Sequence, residues 1–182
     1  MFLFLLFLLL FNNINFVHSA TIVSYENTES KEIPTSTLPF IDAIELSINA
    51  GGLKSSLSSN AVVTVQVWLV HNNNVDLRFY LYGPDGSDIT LSNHRGLTFD
   101  NVFDGTLFSD SASKSVTGVL TFLGNGVVSP LKPEDALSNF RGKNPNGQWK
   151  ISVNDDVPGY GDGSLNGFTL NIQGFFFNVS QS

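Results

Sequence analysis

The sequence contains no cysteine, and its 182 residues include only nine Lys or Arg residues against sixteen Asp or Glu residues. Without cysteine no disulfide can hold the fold together, so an extracellular domain of this kind needs a sufficient apolar core or a bound metal ion. The formal net charge of −7 and the isoelectric point near 4.7 argue against binding to nucleic acid or to anionic membranes.

Long apolar runs are absent except at the N-terminus, where residues 1–11 form an uncharged hydrophobic segment. A membrane span needs about 20 apolar residues, so this run is too short to cross a bilayer and is typical of a signal peptide. We predict a signal peptide over residues 1–19, with cleavage after Ser19. The mature protein is therefore expected to be secreted, without a transmembrane segment, and to carry an N-glycosylation site at Asn178.

The sequence also lacks a sustained helical period and any repeat of fixed spacing. Instead, short stretches alternate between apolar and polar residues and are separated by turns rich in Gly and Pro, most clearly at 62–70. Charged residues make up only 14% of the chain and there are 16 glycines, a composition that suits an all-β protein. We predict two antiparallel sheets packed as a β-sandwich over residues 41–175. Residues 20–40 are predicted to be an extended N-terminal arm of low order, and 176–182 a C-terminal tail.

One ordered set of motifs resembles a known family. The motifs are Pro84-Asp85-Gly86, Leu137-Ser138-Asn139-Phe140-Arg141-Gly142, Asn146-Gly147-Gln148-Trp149-Lys150-Ile151, Asp155 and Gly161-Asp162-Gly163-Ser164-Leu165. Together they resemble the P domain (P/Homo B domain) that follows the subtilisin-like catalytic domain in proprotein convertases and related secreted proteases. The resemblance implies a jelly-roll β-sandwich, galactose-binding-like in fold, that packs on a protease without being catalytic. We expect no catalytic domain before the module, so any such association is expected in trans.

A catalytic role is not expected of this chain. After signal removal only His71 and His94 remain, and the sequence contains neither a Gly-x-Ser-x-Gly elbow nor a His-Glu-x-x-His motif. His71 lies at a strand end and is predicted to be a turn or packing histidine. We therefore predict that the chain is not an enzyme.

Calcium is the predicted cofactor. Ca²⁺ takes about six to eight oxygen ligands, and strand ends from different hairpins meet at one edge of a jelly roll. We expect Asp76, Asp155 and Asp162 to converge there as metal ligands, and the resemblance favours the same positions because some P domains bind calcium. The alternative is that Asp155, Asp156 and Asp162 are turn formers whose side chains bond to the backbone.

Three aromatic residues form a predicted partner patch. Parity places Trp68 opposite the apolar face of its strand, and Tyr80 and Tyr82 opposite the apolar face of the next. If the turn at 71–75 joins neighbouring antiparallel strands, Trp68 lies near Tyr80. The patch would then contact a partner protein or stack on a sugar. The alternative is that other strands or loops cover these side chains.

The main functional prediction is a secreted, non-catalytic binding or stabilising module. Its expected partner is an extracellular protein, in particular a subtilisin-like serine protease bound in trans. The first alternative is an extracellular carbohydrate-binding jelly roll that uses the aromatic face to hold glycans. A third prediction, a hydrolase with an unrecognised carboxylate pair, has no spacing in the sequence to favour it.

Overall fold

The computed structural model describes residues 21–34, 43–118, 120–124, 126–157 and 162–174. Within this part of the chain the protein is an all-β sandwich of two antiparallel sheets, which confirms the predicted fold class. The strands are β1 (Thr21–Asn27), β2 (Lys31–Ile33), β3 (Ile44–Ala50), β4 (Val62–His71), β5 (Leu77–Tyr82), β6 (Asp88–Asn93), β7 (Phe103–Phe108), β8 (Gly147–Asp155) and β9 (Gly163–Gly174). Short 3₁₀ turns lie at Asn74–Asp76 and Leu137–Phe140. None of the described helices is long and apolar enough to span a membrane.

The larger sheet has the strand order β1-β9-β4-β7, and β2 also pairs with β9. The smaller sheet has the order β3-β8-β5-β6. We call them the large sheet and the small sheet. The chain passes between the sheets repeatedly, so strands that follow one another in sequence often lie in different sheets.

The core lies between the two inner faces, where the alternating apolar residues of each strand point. Val65 and Val67 of β4 are fully buried, and so are Leu77 and Phe79 of β5 in the opposite sheet. Phe79 packs edge-on against two rings of the large sheet, with centroid distances of 5.0 Å to Phe103 and 5.7 Å to Phe108. Each fully buried side chain of this size contributes about 1.5–3 kcal/mol, so such contacts hold the two sheets together.

The N-terminal arm is more ordered than predicted, because Thr21–Asn27 and Lys31–Ile33 form strands. β1 pairs with β9 from Thr21 opposite Gly174 to Asn27 opposite Phe168, and β2 continues along the same partner. Sheet pairing uses backbone groups, so an edge strand forms even where its inner face is only half-buried and carries few apolar residues, here Val23 and Tyr25. The sandwich therefore begins at Thr21 rather than at residue 41.

Strands β4 and β5 are neighbours in sequence but lie in different sheets. β4 pairs with β7 and β9, whereas β5 pairs with β6 and β8. The 3₁₀ turn at Asn74–Asp76 carries the chain from one sheet to the other at one end of the sandwich. This crossing brings the ends of β4 and β8 together and creates the polar cluster described next.

Candidate functional site

A buried polar cluster lies where the chain crosses between the sheets. His71 ends β4, Asp76 immediately precedes β5, and Asp155 ends β8 opposite Leu77. We call His71, Asn73, Asn74, Asp76 and Asp155 the end cluster. His71, Asn74, Asp76 and Asp155 are all buried, which is unusual for charged and amide side chains unless they are paired.

His71 and Asp155 form the centre of the end cluster. The distance from His71 Nε2 to Asp155 Oδ2 is 3.5 Å, and neither side chain is exposed. Nδ1 of the ring lies 3.1 Å from the backbone N–H of Asn73 and 2.9 Å from its carbonyl oxygen. Either tautomer is therefore accommodated, and the one in which Asn73 N–H donates to Nδ1 directs Nε2–H at the Asp155 carboxylate. The other carboxylate oxygen, Oδ1, accepts the backbone N–H of Val157 at 2.9 Å.

Asn74 and Asn101 connect the cluster to the loop before β7. Asn74 Nδ2 donates to the carbonyl oxygen of His71 at 3.0 Å and also to that of Phe99. The backbone N–H of His71 donates to Asn101 Oδ1, and the N–H of Asn101 donates to His71 O, both at 2.9 Å. The roles of Asn73, Asn74 and Asn101 could not be predicted from the sequence, because asparagine in a turn has no pattern that separates a structural role from solvent exposure.

The environment of Asp76 disfavours the charged form of its carboxyl group. Burial raises the pKa of its carboxyl above the usual value, a hydrogen bond from Asn73 Nδ2 opposes that rise, and the nearby Asp155 charge raises the pKa further. Two carboxylates therefore share one end of the sandwich with their charges only partly compensated. Such a site favours either protonation or a bound cation.

Two of the three predicted metal ligands come together and the third does not join them. Asp76 and Asp155 interact electrostatically, but Asp162 is exposed and its backbone is bonded to Asn72. Throughout the described ranges, no group of three or more His, Cys, Asp or Glu side chains could hold a metal ion. The cluster does contain oxygens that lack a hydrogen-bond partner there, on Asn73, Asn74 and Asp155. Amide and carboxylate oxygens are ligands that calcium accepts, so calcium binding stays a prediction.

Asp156, next to Asp155, faces outward and forms a second charged group. Its carboxylate accepts a hydrogen bond from Arg78 Nη2 at 2.7 Å and lies 3.1 Å from His94 Nε2. The hydrogen bond to Asp156 raises the pKa of the Arg78 guanidinium. The backbone N–H of Asp156 donates to Asp76 O at 3.0 Å, so this pair of acidic residues ties β8 to the crossing turn.

The predicted aromatic patch is divided between the two sheets. Trp68 lies on the large sheet, whereas Tyr80 and Tyr82 lie on the small sheet with ring centroids 6.4 Å apart. The condition for Trp68 to lie near Tyr80, that β4 and β5 pair as a hairpin, is not met, because the two strands lie in different sheets. Each side chain points outward from its own sheet, as parity predicted, so the two groups face opposite sides of the sandwich. Lys150 Nζ lies 4.8 Å from the ring centroid of Tyr82 and partly covers it.

Comparison with known proteins identifies the family. The family model described as "Proprotein convertase P-domain" matches residues 60–172, which is more than half of the chain. The chain belongs to the proprotein convertase P-domain family. The match spans β4 to β9 and includes both halves of the end cluster, which confirms the resemblance found in the sequence. None of the curated proteins compared with the chain matches it.

Two solved structures show similarity to this P domain. The Aeromonas sobria serine protease in complex with its chaperone matches at 17% identity and a TM-score of 0.48, covering 86% of this chain and 28% of that one. The same serine protease alone matches at 17% identity and a TM-score of 0.41, covering 85% and 27%. The P domain thus spans less than a third of the length of the chains it matches. The predicted cleavage at Ser19 and the predicted glycosylation of Asn178 fall outside the described residues.

Proposed function

We propose that this P domain is a secreted, non-catalytic module that binds an extracellular subtilisin-like serine protease in trans. Membership of the proprotein convertase P-domain family supports an association with proteases. The partner and the mode of association are our inference from the surface and from the chemistry of the two described histidines.

The observation that carries the proposal is a group of exposed apolar side chains in one loop. Leu120 is 72% exposed, Leu123 60% and Val127 49%. We call these three residues the apolar loop. Leu97, also exposed, lines a pocket of about 180 Å³ together with Phe122, which lies between the first two members of the loop. Several large apolar side chains exposed within one short stretch of chain are typical of a protein–protein contact.

The two described histidines support a role without catalysis, because both make structural contacts. His71 is enclosed in the end cluster, between Asn73 and Asp155. His94 Nδ1 lies 2.8 Å from the carbonyl oxygen of Val75, and its Nε2 faces Asp156. A serine nucleophile needs an accessible histidine nitrogen that can take the hydroxyl proton; the His71 ring is fully buried, and both nitrogens of His94 face oxygen atoms.

Affinity capture tests the proposal. The immobilised P domain is exposed to conditioned extracellular medium, and bound proteins are labelled with a fluorophosphonate probe that reacts only with active serine hydrolases. We expect a labelled serine protease with the wild type, and its loss with the double substitution Leu120→Ser, Leu123→Ser. Ile22→Ser is the matched control because Ile22 is 59% exposed on the edge strand β1, away from the apolar loop.

Two results would contradict the proposal. Hydrolysis of peptide substrates by the purified P domain alone would show that it is an enzyme. Retention on polysaccharide resins without any protease would favour the carbohydrate-binding alternative, which the outward-facing Trp68 still permits.

Calcium forms a separate part of the proposal. Asp76 and Asp155 would supply carboxylate oxygens, and Asn73 an amide oxygen that has no partner in the described residues. A divalent cation there would neutralise the repulsion between the two carboxylates. We expect added Ca²⁺ to raise the melting temperature and a chelator to reverse the rise, with both effects lost in Asp155→Asn. A melting temperature that is the same in Ca²⁺ and in chelator would contradict calcium binding at this site.

A further inference from the structure

Trp68 lies between two β-bulges, one on each neighbouring strand. On the β7 side, Val67 pairs with Thr106 and Trp68 pairs with Asp104, so Gly105 is an extra residue. On the β9 side, Val67 pairs with Phe168 and Leu69 with Leu165. Two residues of β9, at positions 166 and 167, therefore stand opposite Trp68 alone. Bulges open the ladder locally and redirect side chains, and here both act on the same residue.

Two glycines make this arrangement possible. Gly105 has φ +93° and Gly167 has φ +131°, values that L side chains rarely adopt. A Cβ on Gly167 would also lie 2.6 Å from the backbone oxygen of Asn27. Glycine at this position lets the end of β1 approach the bulge and form a wall beside Trp68.

The result is a pocket of about 240 Å³ on the outer face of the large sheet. Trp68 lies in its lining and is only partly buried, so part of the indole stays accessible. The remaining lining residues are Glu26, Asn27, Thr28, Asp104, Asn166 and Gly167. Neither β1 nor the two bulged strands could form this pocket alone, because each supplies one side of it.

The charged residues that line the pocket are both acidic. Glu26 and Asp104 are exposed, and no hydrogen bond or ion pair joins either carboxylate to another described residue. No Lys or Arg is among the lining residues. Asn27 is held by two bonds of its own, since its Nδ2 donates to Ser47 O and its Oδ1 accepts the N–H of Glu29.

We propose that the Trp68 pocket binds a lysine or arginine side chain of the partner protein. An aromatic ring beside two uncompensated carboxylates matches a cation, which gains from the ring face and from both charges. A neutral sugar would use the ring face but would leave the two negative charges without a counter-charge. The inference rests on the proposed function, since it names a contact that the partner would make.

Tryptophan fluorescence provides a direct test. The protein has two tryptophans, and Trp149 is 1% exposed with its Nε1 bonded to Pro145 O, so ligand-dependent changes in emission report on Trp68. Full-length protein is titrated with tetra-arginine amide, with tetra-glutamate and with cellotriose. We expect a saturable change with tetra-arginine only, weakened by added salt because the carboxylate contribution is screened.

Carboxylate variants locate the binding site. Asp104→Asn and Glu26→Gln should each weaken tetra-arginine binding about threefold, as expected for exposed charge pairs. Asp88→Asn removes the same charge from an exposed position on the small sheet and should change nothing. Both pocket carboxylates are exposed, so the variants should fold, and matching melting temperatures confirm it. Equal binding by the Asp104 and Asp88 variants, or a response to cellotriose but not to tetra-arginine, would overturn the inference.

The two proposals can fail separately. If the double variant Glu26→Gln, Asp104→Asn captures the protease as well as the wild type does, the Trp68 pocket is not the contact, although the proposed function stands. If the wild type captures no protease but binds tetra-arginine in a way that depends on Asp104, the cation pocket stands and the proposed partner is wrong.

Discussion

Removing the Asp155 carboxylate should destabilise the sandwich more than removing that of its neighbour. Asp155→Ala deletes a charge-assisted hydrogen bond to the N–H of Val157, worth about 1.5–3 kcal/mol. It also leaves buried His71 Nε2 without the carboxylate it faces, at a cost of about 1–3 kcal/mol. Relief of the repulsion with Asp76 offsets part of this loss. We expect a net loss of about 2–4 kcal/mol, or roughly 5 to 15 °C in melting temperature for a domain of this size.

The assay is thermal and urea denaturation at pH 7 in the presence of a chelator. Asp156→Ala is the matched control, because it removes an adjacent carboxylate that is 26% exposed and pairs with Arg78 and His94 near the surface, a loss of about 1 kcal/mol or less. Asp155→Asn should lose less than Asp155→Ala, since the amide keeps an oxygen for Val157 and the imidazole can change tautomer. Equal stability of Asp155→Ala and Asp156→Ala would refute the idea that the end cluster supports the fold.

Three further predictions concern charge, backbone space and exposure. Burial raises the pKa of Asp76, so its charged form lowers stability above the usual pKa of 3.8; in chelator, Asp76→Asn should raise the melting temperature at pH 7, and that gain should vanish as the pH falls below 3.8. Gly163→Ala should destabilise by about 1–3 kcal/mol in urea denaturation, because its Cβ would lie 2.4 Å from Val70 O, whereas Gly51→Ala meets no atom within 4 Å and should be neutral. Acrylamide should quench only part of the tryptophan emission, since Trp68 is accessible and Trp149 is not; complete resistance to quenching would contradict an open Trp68 pocket.

The faces of the long strands could be predicted from the sequence, but their partners could not. Alternation placed Val63, Val65, Val67 and Leu69 of β4 on an inner face with Leu77, Phe79 and Leu81 of β5. It placed Trp68, Tyr80 and Tyr82 outside, as the structure has them. Alternation carries no information about which strand lies alongside. The short turn after His71 is as compatible with a hairpin as with a crossing between sheets, and the predicted nearness of Trp68 and Tyr80 depended on a hairpin.

The end cluster was only partly predictable for a related reason. Asp76 and Asp155 flank strand ends, so their proximity follows from the topology of a sandwich. The burial of His71 follows from the crossing turn and from Asn101, which comes from a distant loop. Charged and polar residues are normally predicted to face solvent, whereas in this structure those of the end cluster contact one another inside the protein. The edge strand β1 was missed because its inner face is only half-buried and carries just two apolar residues, Val23 and Tyr25, too few to form a clear alternation.

The position of β9 has a consequence for how the protein is made. β9 pairs with β1, β2 and β4, yet it follows all three in the chain. A nascent polypeptide leaving the ribosome therefore carries unpaired edges on β1 and β4 until the last of these strands has been synthesised and reaches them. Contacts of such long sequence separation form slowly, and until they form, partly folded intermediates with unpaired strand edges are prone to aggregate. The large sheet is thus completed only after β9 has been synthesised, because β9 is the strand that joins β1 and β2 to β4.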